Sequence, residues 1–208
     1  MRIILASGSP RRQQLMELAG IPCEIIVSNA DETISGPPDE QVHELALRKA
    51  YAVINEHGLG DNFRKESKSG TTSPLPTIVI AADTLVYIDG QVLGKPGNYD
   101  EAFAMLKSLQ GRRHTVYTGV ALIKLSGDAS QNFVSNKISF VDSTEVFFRP
   151  LSDDEIHRYI ATGEPFDKAG AYGVQERGAV LVDRVEGDFY TVVGLPISKV
   201  CKALGDMG

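Results

Sequence analysis

Ser7, Ser9, Arg11 and Arg12 crowd together directly after a short apolar run, in Ile3–Ile4–Leu5–Ala6–Ser7–Gly8–Ser9–Pro10–Arg11–Arg12. Hydroxyls, guanidinium groups and the free N–H groups of a helix start suit an anion, above all a chain of phosphates. A plain helix start with two solvated arginines would use the same residues. Asp83 is the sharpest single candidate for proton transfer. It interrupts the apolar stretch Ile78–Ile88 instead of ending it, and a carboxylate in such a place needs a partner, a cation or a catalytic task. Adjacent carboxylates at Asp31–Glu32 offer the hard oxygen ligands that Mg²⁺ prefers, although loop solvation explains them equally well. Lys49 and Lys95 could neutralise charge on phosphates. Gln175 closes a run of small residues and glycines, Ala169–Gly170–Ala171–Tyr172–Gly173–Val174. Its amide can both donate and accept, which reading the edge of a base requires.

These residues need elements to hold them. Ile3–Leu5 predicts a strand, and Pro10 at the first position of an amphipathic segment predicts a helix ending at Gly20. Cys23–Val27 reads as a second strand. Pro37–Pro38 opens a helix with Val42, Leu45, Ala46, Ala50 and Val53 on one face, and the polar stretch 59–76 reads as a surface insertion. Thr77–Ala82 is apolar enough for a central strand covered on both faces. It continues through Leu85–Ile88 and turns at Asp89–Gly90, a strong hairpin signal. Counting back across a two-residue loop pairs Thr84 with Lys95, which puts Lys95 and Asp83 on opposite faces unless a bulge intervenes.

Asn98–Glu101 and Ser152–Glu155 fit capping boxes. Between those helices lie two long β segments, His114–Leu125 and Phe133–Arg149, joined at 126–128. Ala179–Val185 and Phe189–Val193 read as a last pair of strands. Pro196 starts a terminal helix with Ile197, Val200, Cys201 and Leu204 inward. The pattern predicts an α/β fold with a curved mixed sheet flanked by helices, in two lobes with a central cleft.

The totals narrow the function. A net charge of −6 over 208 residues argues against binding a nucleic acid polymer, which wants a basic footprint. The paired arginines suit a small anionic ligand instead. No apolar run approaches the length of a membrane span, and no signal peptide is read at Met1–Ser7, so a cytoplasmic protein is expected. Cys23 and Cys201 lack metal spacing and read as small core residues in a reducing compartment. His43, His57, His114 and His157 show no zinc spacing, and no GxSxG supports a serine nucleophile.

Six separated blocks together resemble a known family. They are Ala6–Arg12, Ala82–Thr84, Leu93–Pro96, Gly163–Pro165, Asp167–Gln175 and Val192–Pro196. In this order they are similar to the Maf-like nucleoside triphosphate pyrophosphatases, and only 59–76 lies outside the match. The resemblance implies one Maf/inosine-triphosphatase-like domain over 1–208, commonly a homodimer. It implies hydrolysis of a nucleoside triphosphate to monophosphate and pyrophosphate with a divalent cation, Mg²⁺ or Mn²⁺. It makes Asp83 the acceptor of the proton from the attacking water. Arg11, Thr84 and Gln175 fall at positions that separate subgroups, and look like the dTTP/UTP type.

With that expectation, Ser9, Arg11 and Arg12 would hold phosphates, Lys49 and Lys95 would neutralise charge, and Glu32 and Asp83 would hold the metal. Thr84 and Gln175 would face the base. A nucleotide-binding regulator without turnover, and a pyrophosphatase for other triphosphates, remain alternative readings. One departure stands out: the family usually has Gly after the Gln, and this chain has Glu176. If that position needs a positive φ, Glu there is strained.

Overall fold

Ile78 to Ala82 are all fully buried, and they lie in the first half of a long strand, β3 (Thr77–Ile88). The computed structural model describes residues 1–60, 75–126 and 134–208. The expected insertion at 59–76 therefore lies, over 61–74, outside the described residues, and so does most of the turn expected at 126–128.

The other elements, in chain order, begin with β1 (Arg2–Leu5), α1 (Pro10–Leu18), β2 (Glu24–Ile25) and α2 (Pro38–Glu56). After β3 come β4 (Gln91–Leu93), α3 (Tyr99–Leu109), β5 (Arg113–Leu125), β6 (Val134–Phe148) and α4 (Asp153–Ile160). Short 3₁₀ turns follow at Glu164–Asp167, Ala169–Ala171 and Glu176–Leu181, then β7 (Val182–Glu186), α5 (Phe189–Val193) and α6 (Ile197–Asp206). The sheet has seven strands in the order β2-β1-β3-β5-β6-β7, with β4 on β3. It is mixed: β1 runs parallel to β2 and β3, whereas β3–β4 and β6–β7 are antiparallel. The α/β class expected from the sequence is the class observed. No helix among the described residues is long and apolar enough to cross a membrane.

The chain divides into two compact units. The first comprises Met1–Asp83, Gly119–Val141 and Ile197–Gly208; the second comprises Thr84–Thr118 and Asp142–Pro196. Strands β3, β5 and β6 each run through the boundary. In the first unit, Ile4 and Ala6, Val79 and Ala81, and Ala121 and Ile123 pack against Ala46, Ala50, Val53 and Ile54 of α2. In the second, Val86 and Ile88, Val116 and Val146 pack against Leu106 of α3 and Ile156 and Ile160 of α4. Each core is a sheet face covered by helices, as the apolar spacings require.

Three sequence expectations are corrected. Phe189–Val193 is a helical turn, not a strand, because Asp188 accepts a hydrogen bond from Tyr190 N–H and Gly194 closes the turn at φ 114°. Only β7 of the expected last pair exists, and it pairs with β6. Cys201 is exposed and Cys23 half-buried, so neither is a core residue; Ala203 fills the inward position of α6 instead. The capping box at Ser152–Glu155 forms as expected, and its backbone and Arg149 bonds hold the Glu155 carboxyl at about 2.

His114, 2% exposed, stands edge-on to Phe148 and Tyr172 with its Nε2 2.7 Å from the Tyr172 hydroxyl. Burial pushes its pKa down to about 4 from the ordinary 6.5. Between those two values the unfolded chain binds the proton and the folded one does not. Stability should therefore be full above pH 6.5 and fall as pH drops toward 4, by up to about 1.4 kcal/mol per pH unit. His114→Gln keeps a polar partner for Tyr172 but does not titrate. Urea melts at pH 7.5 and pH 5 should show a smaller loss in the variant than in the wild type. Equal losses would disprove this origin.

Candidate active site

The residues singled out in the sequence divide between the units. Ser9, Arg11, Arg12, Glu32, Lys49 and Asp83 belong to the first; Thr84, Lys95 and Gln175 belong to the second.

In the first unit the turn from β1 to α1 folds around Ser7. The Ser7 hydroxyl is almost wholly buried and accepts from Ser9 N–H at 3.3 Å and from Arg12 Nη1 at 3.1 Å. Pro10 stands at the start of α1, and Ser9, in extended conformation just before it, makes no side-chain cap. Its hydroxyl is not spent on the helix that follows. Loss of hydration lowers the Arg12 pKa, Asp83 opposes that shift, Arg11 adds to it, and Glu32 again opposes it. The guanidinium remains charged throughout. Those couplings set Arg12 within electrostatic reach of both carboxylates.

Lys49, on α2, ties the carboxylates together. Its Nζ is 2.6 Å from Asp83 Oδ1 and 2.7 Å from Glu32 Oε1. The Lys49 and Asp83 side chains are only 13% and 14% exposed, whereas Glu32 is 60% exposed. Asp83 thus has the partner that its place in an apolar strand demanded. Asp31 does not join it: its carboxylate accepts from Thr33 N–H at 2.9 Å, and this bond lowers its pKa. Two acidic neighbours in sequence therefore do different work, one closing a turn and the other reaching Lys49.

In the second unit Thr84 begins a chain of hydroxyls. Its Oγ1 lies 2.9 Å from that of Thr118, which donates to Thr191 O at 2.8 Å, and Thr191 donates to Asp142 Oδ2 at 2.7 Å. The expected Thr84–Lys95 pairing does not form. The hairpin keeps its predicted register at Ile88↔Gln91, Tyr87↔Val92 and Val86↔Leu93, and β4 then ends. Gly94 O instead accepts from Gly170 N–H at 3.0 Å, so the backbone leaves the sheet before Lys95, which is exposed. Gln175 is half-buried and extended, immediately before the 3₁₀ turn at Glu176–Leu181.

Residues 2–207 match a protein family described as Maf-like protein. The chain belongs to the Maf-like family. Similar proteins include a dTTP/UTP pyrophosphatase of Bacillus cereus, 43% identical over 205 residues, which are 98% of this chain and 94% of that protein. The dTTP/UTP pyrophosphatases of Bacillus thuringiensis and Bacillus anthracis are each 44% identical over the same shares. Within this Maf-like chain the first sequence block is the β1–α1 turn, and the block at Ala82–Thr84 straddles the unit boundary on β3. The departure at Glu176 has the consequence expected of it: the residue is left-handed, with φ 55°.

Two further residues hold these groups in place, and only Glu164 among them was given no role from the sequence. Ser7, one of the two hydroxyls expected in the turn, is buried and accepts from Arg12; that burial is a property of the turn and leaves no mark in the residue type. Glu164, half-buried beside the Gln175 loop, accepts from Arg177 N–H and Gly178 N–H, each at 3.2 Å. Its place in the Gly163–Glu164–Pro165 block was the available signal.

Proposed function

We propose that this chain hydrolyses dTTP and UTP to the monophosphate and pyrophosphate. The observation that carries the reading is Lys49 bridging Asp83 and Glu32 in the unit that also holds the Ser7–Arg12 turn. It is supported by the near full-length similarity to the Bacillus enzymes. A triphosphate brings several negative charges, and Arg11, Arg12, Ser9 and the N–H groups of the turn supply cations and donors for it.

Phosphoryl chemistry asks mainly for positioning and charge neutralisation. A water oxygen bonds to the α-phosphorus as the bond from that phosphorus to the bridging oxygen of the β-phosphate breaks. Asp83 accepts the water proton, and pyrophosphate leaves with the bonding electrons. Lys49, already against Asp83, offsets charge that builds on the phosphates, and Lys95 is assigned the same task. Thr84 and Gln175 are assigned to the base.

Glu32 and Asp83 are the residues that would hold Mg²⁺ or Mn²⁺. No group of three or more His, Cys, Asp or Glu residues able to hold an ion occurs among the described residues. Two hard carboxylates completed by phosphate oxygens and water is nevertheless a habitual Mg²⁺ arrangement. When bound, the cation would supply neutralisation of the leaving pyrophosphate.

The test is a panel of common triphosphates, assayed separately for pyrophosphate and orthophosphate, with wild type and Gln175→Glu. The Gln amide can pair with both O4 and N3–H of uracil or thymine, whereas cytosine requires it to flip. A site built for particular hydrogen bonds rejects analogues that lack them. Pyrophosphate as the first product, UTP and dTTP ahead of CTP and purines in kcat/KM, and a flatter ranking for Gln175→Glu are expected. Orthophosphate released first, with the diphosphate accumulating, would refute the reaction. Binding without turnover would identify a nucleotide sensor instead.

A further inference from the structure

We propose that Glu164 is a positioning residue that sets the loop bearing Gln175, so that base discrimination depends on a carboxylate that does not touch substrate. The proposal rests on the assignment of Gln175 to the base.

The loop from Gly173 to Gly178 is tied at both ends to one carboxylate–phenol pair. Glu164 Oε1 accepts from Gly178 N–H at 3.2 Å and from the Tyr159 hydroxyl at 3.1 Å, and Oε2 accepts from Arg177 N–H at 3.2 Å. The Tyr159 oxygen in turn accepts from Gly173 N–H at 3.2 Å. The two ends touch: a Cβ on Gly178 would sit 2.0 Å from Gly173 O. Gln175 lies between them, so its place follows from where the ends are pinned. Burial raises the Tyr159 pKa well above its ordinary value, Gly173 N–H opposes this, and the charge of Glu164 adds to it. The phenol therefore stays a donor toward Glu164.

Glu164 is itself held fast. Its N–H donates to Thr162 Oγ1 at 3.2 Å and its carbonyl accepts from Lys168 Nζ at 2.7 Å. Lys168 is 8% exposed, and a Cβ on Gly173 would meet its Cε at 2.8 Å.

Strain gives the clamp its purpose. Glu176, next after Gln175, has φ 55°, a conformation that is unfavourable for residues with a Cβ. Such backbone persists only where the surroundings over-determine it, and the next two N–H groups are the ones Glu164 holds. Without the clamp, Glu176 relaxes and Gln175 moves with it.

The experiment compares kcat, KM and melting temperature for UTP and CTP in Glu164→Gln, Tyr159→Phe and Glu164→Gln combined with Glu176→Gly. Gln at 164 keeps one acceptor oxygen but turns an NH₂ donor toward one of the N–H groups. The UTP-over-CTP ratio of kcat/KM should narrow about tenfold, the scale of one charge-assisted hydrogen bond. KM for UTP should rise more than kcat falls. Tyr159→Phe should act in the same direction. Adding Glu176→Gly should restore part of the ratio, because Gly adopts that φ without strain.

A merely structural Glu164 would lower melting temperature and both activities while leaving the ratio unchanged, and that result overturns the proposal. If Gln175→Glu shifts the ranking and Glu164→Gln does not, the positioning role alone fails. If Gln175→Glu also leaves it untouched, the base assignment fails first.

Discussion

Asp83→Asn is expected to lower kcat by about 10²–10⁴-fold at saturating substrate and metal, the usual cost of removing a positioned general base. The amide is nearly the same size but does not accept the water proton and offers a weaker hard-oxygen ligand. Lys49 keeps Glu32 as a partner at 2.7 Å, so the ammonium is not left buried without an anion. The melting temperature should therefore change far less than the rate. Nucleotide binding, followed by titration calorimetry, should persist through Arg11, Arg12 and the turn at Ser7. Wild-type kcat in this variant would make Asp83 a structural partner of Lys49 and end the mechanism given above.

Gly119→Ala should cost the protein its fold. A Cβ at 119 would lie 2.2 Å from Val42 O, 2.4 Å from Val42 C and 2.7 Å from His43 N. These are backbone atoms of α2, so no side-chain rotation relieves the clash; the helix must leave β5. Overpacking against movable side chains already costs about 1–3 kcal/mol, and displacing a whole helix costs more. Gly205→Ala is the control, because nothing lies within 4 Å of a Cβ there and the site is on α6. Expression yield and thermal melts should show a near-neutral or stabilised Gly205→Ala beside a Gly119→Ala that is insoluble or melts far lower. A normal melt for Gly119→Ala would contradict the packing of β5 on α2.

What could be read from the residues was what local chemistry decides. The unbroken apolar run at Ile78–Ala82 could only be a covered strand, and Asp89–Gly90 could only be a tight turn, with φ of 51° and 79°. Phe189–Val193 misleads because its residues favour strands, while the deciding contacts come from Asp188 and Gly194 at its ends. Lys95 misleads for another reason: hairpin counting assumes that pairing continues, and a tertiary bond from Gly170 to Gly94 stops it. Asp83 was legible because a carboxylate inside an apolar strand is costly alone. That Lys49 would be its partner was not, since one lysine on an amphipathic helix looks like any other.

The same helix carries the Val42 carbonyl against which Gly119 rests and, seven residues on, Lys49. Seven residues of α-helix span about 10 Å, and a helix of 19 residues without a break moves as a rod. The smallest residue type on β5 therefore sets the stop against which this rod is seated, and the stop fixes how far the ammonium reaches toward Asp83. Tuning of the reaction need not begin at the charged residues. A shift of a few tenths of an ångström at a bare α-carbon, remote in sequence from every ionisable group it governs, would be felt first in how closely the Lys49 ammonium sits against the Asp83 carboxylate.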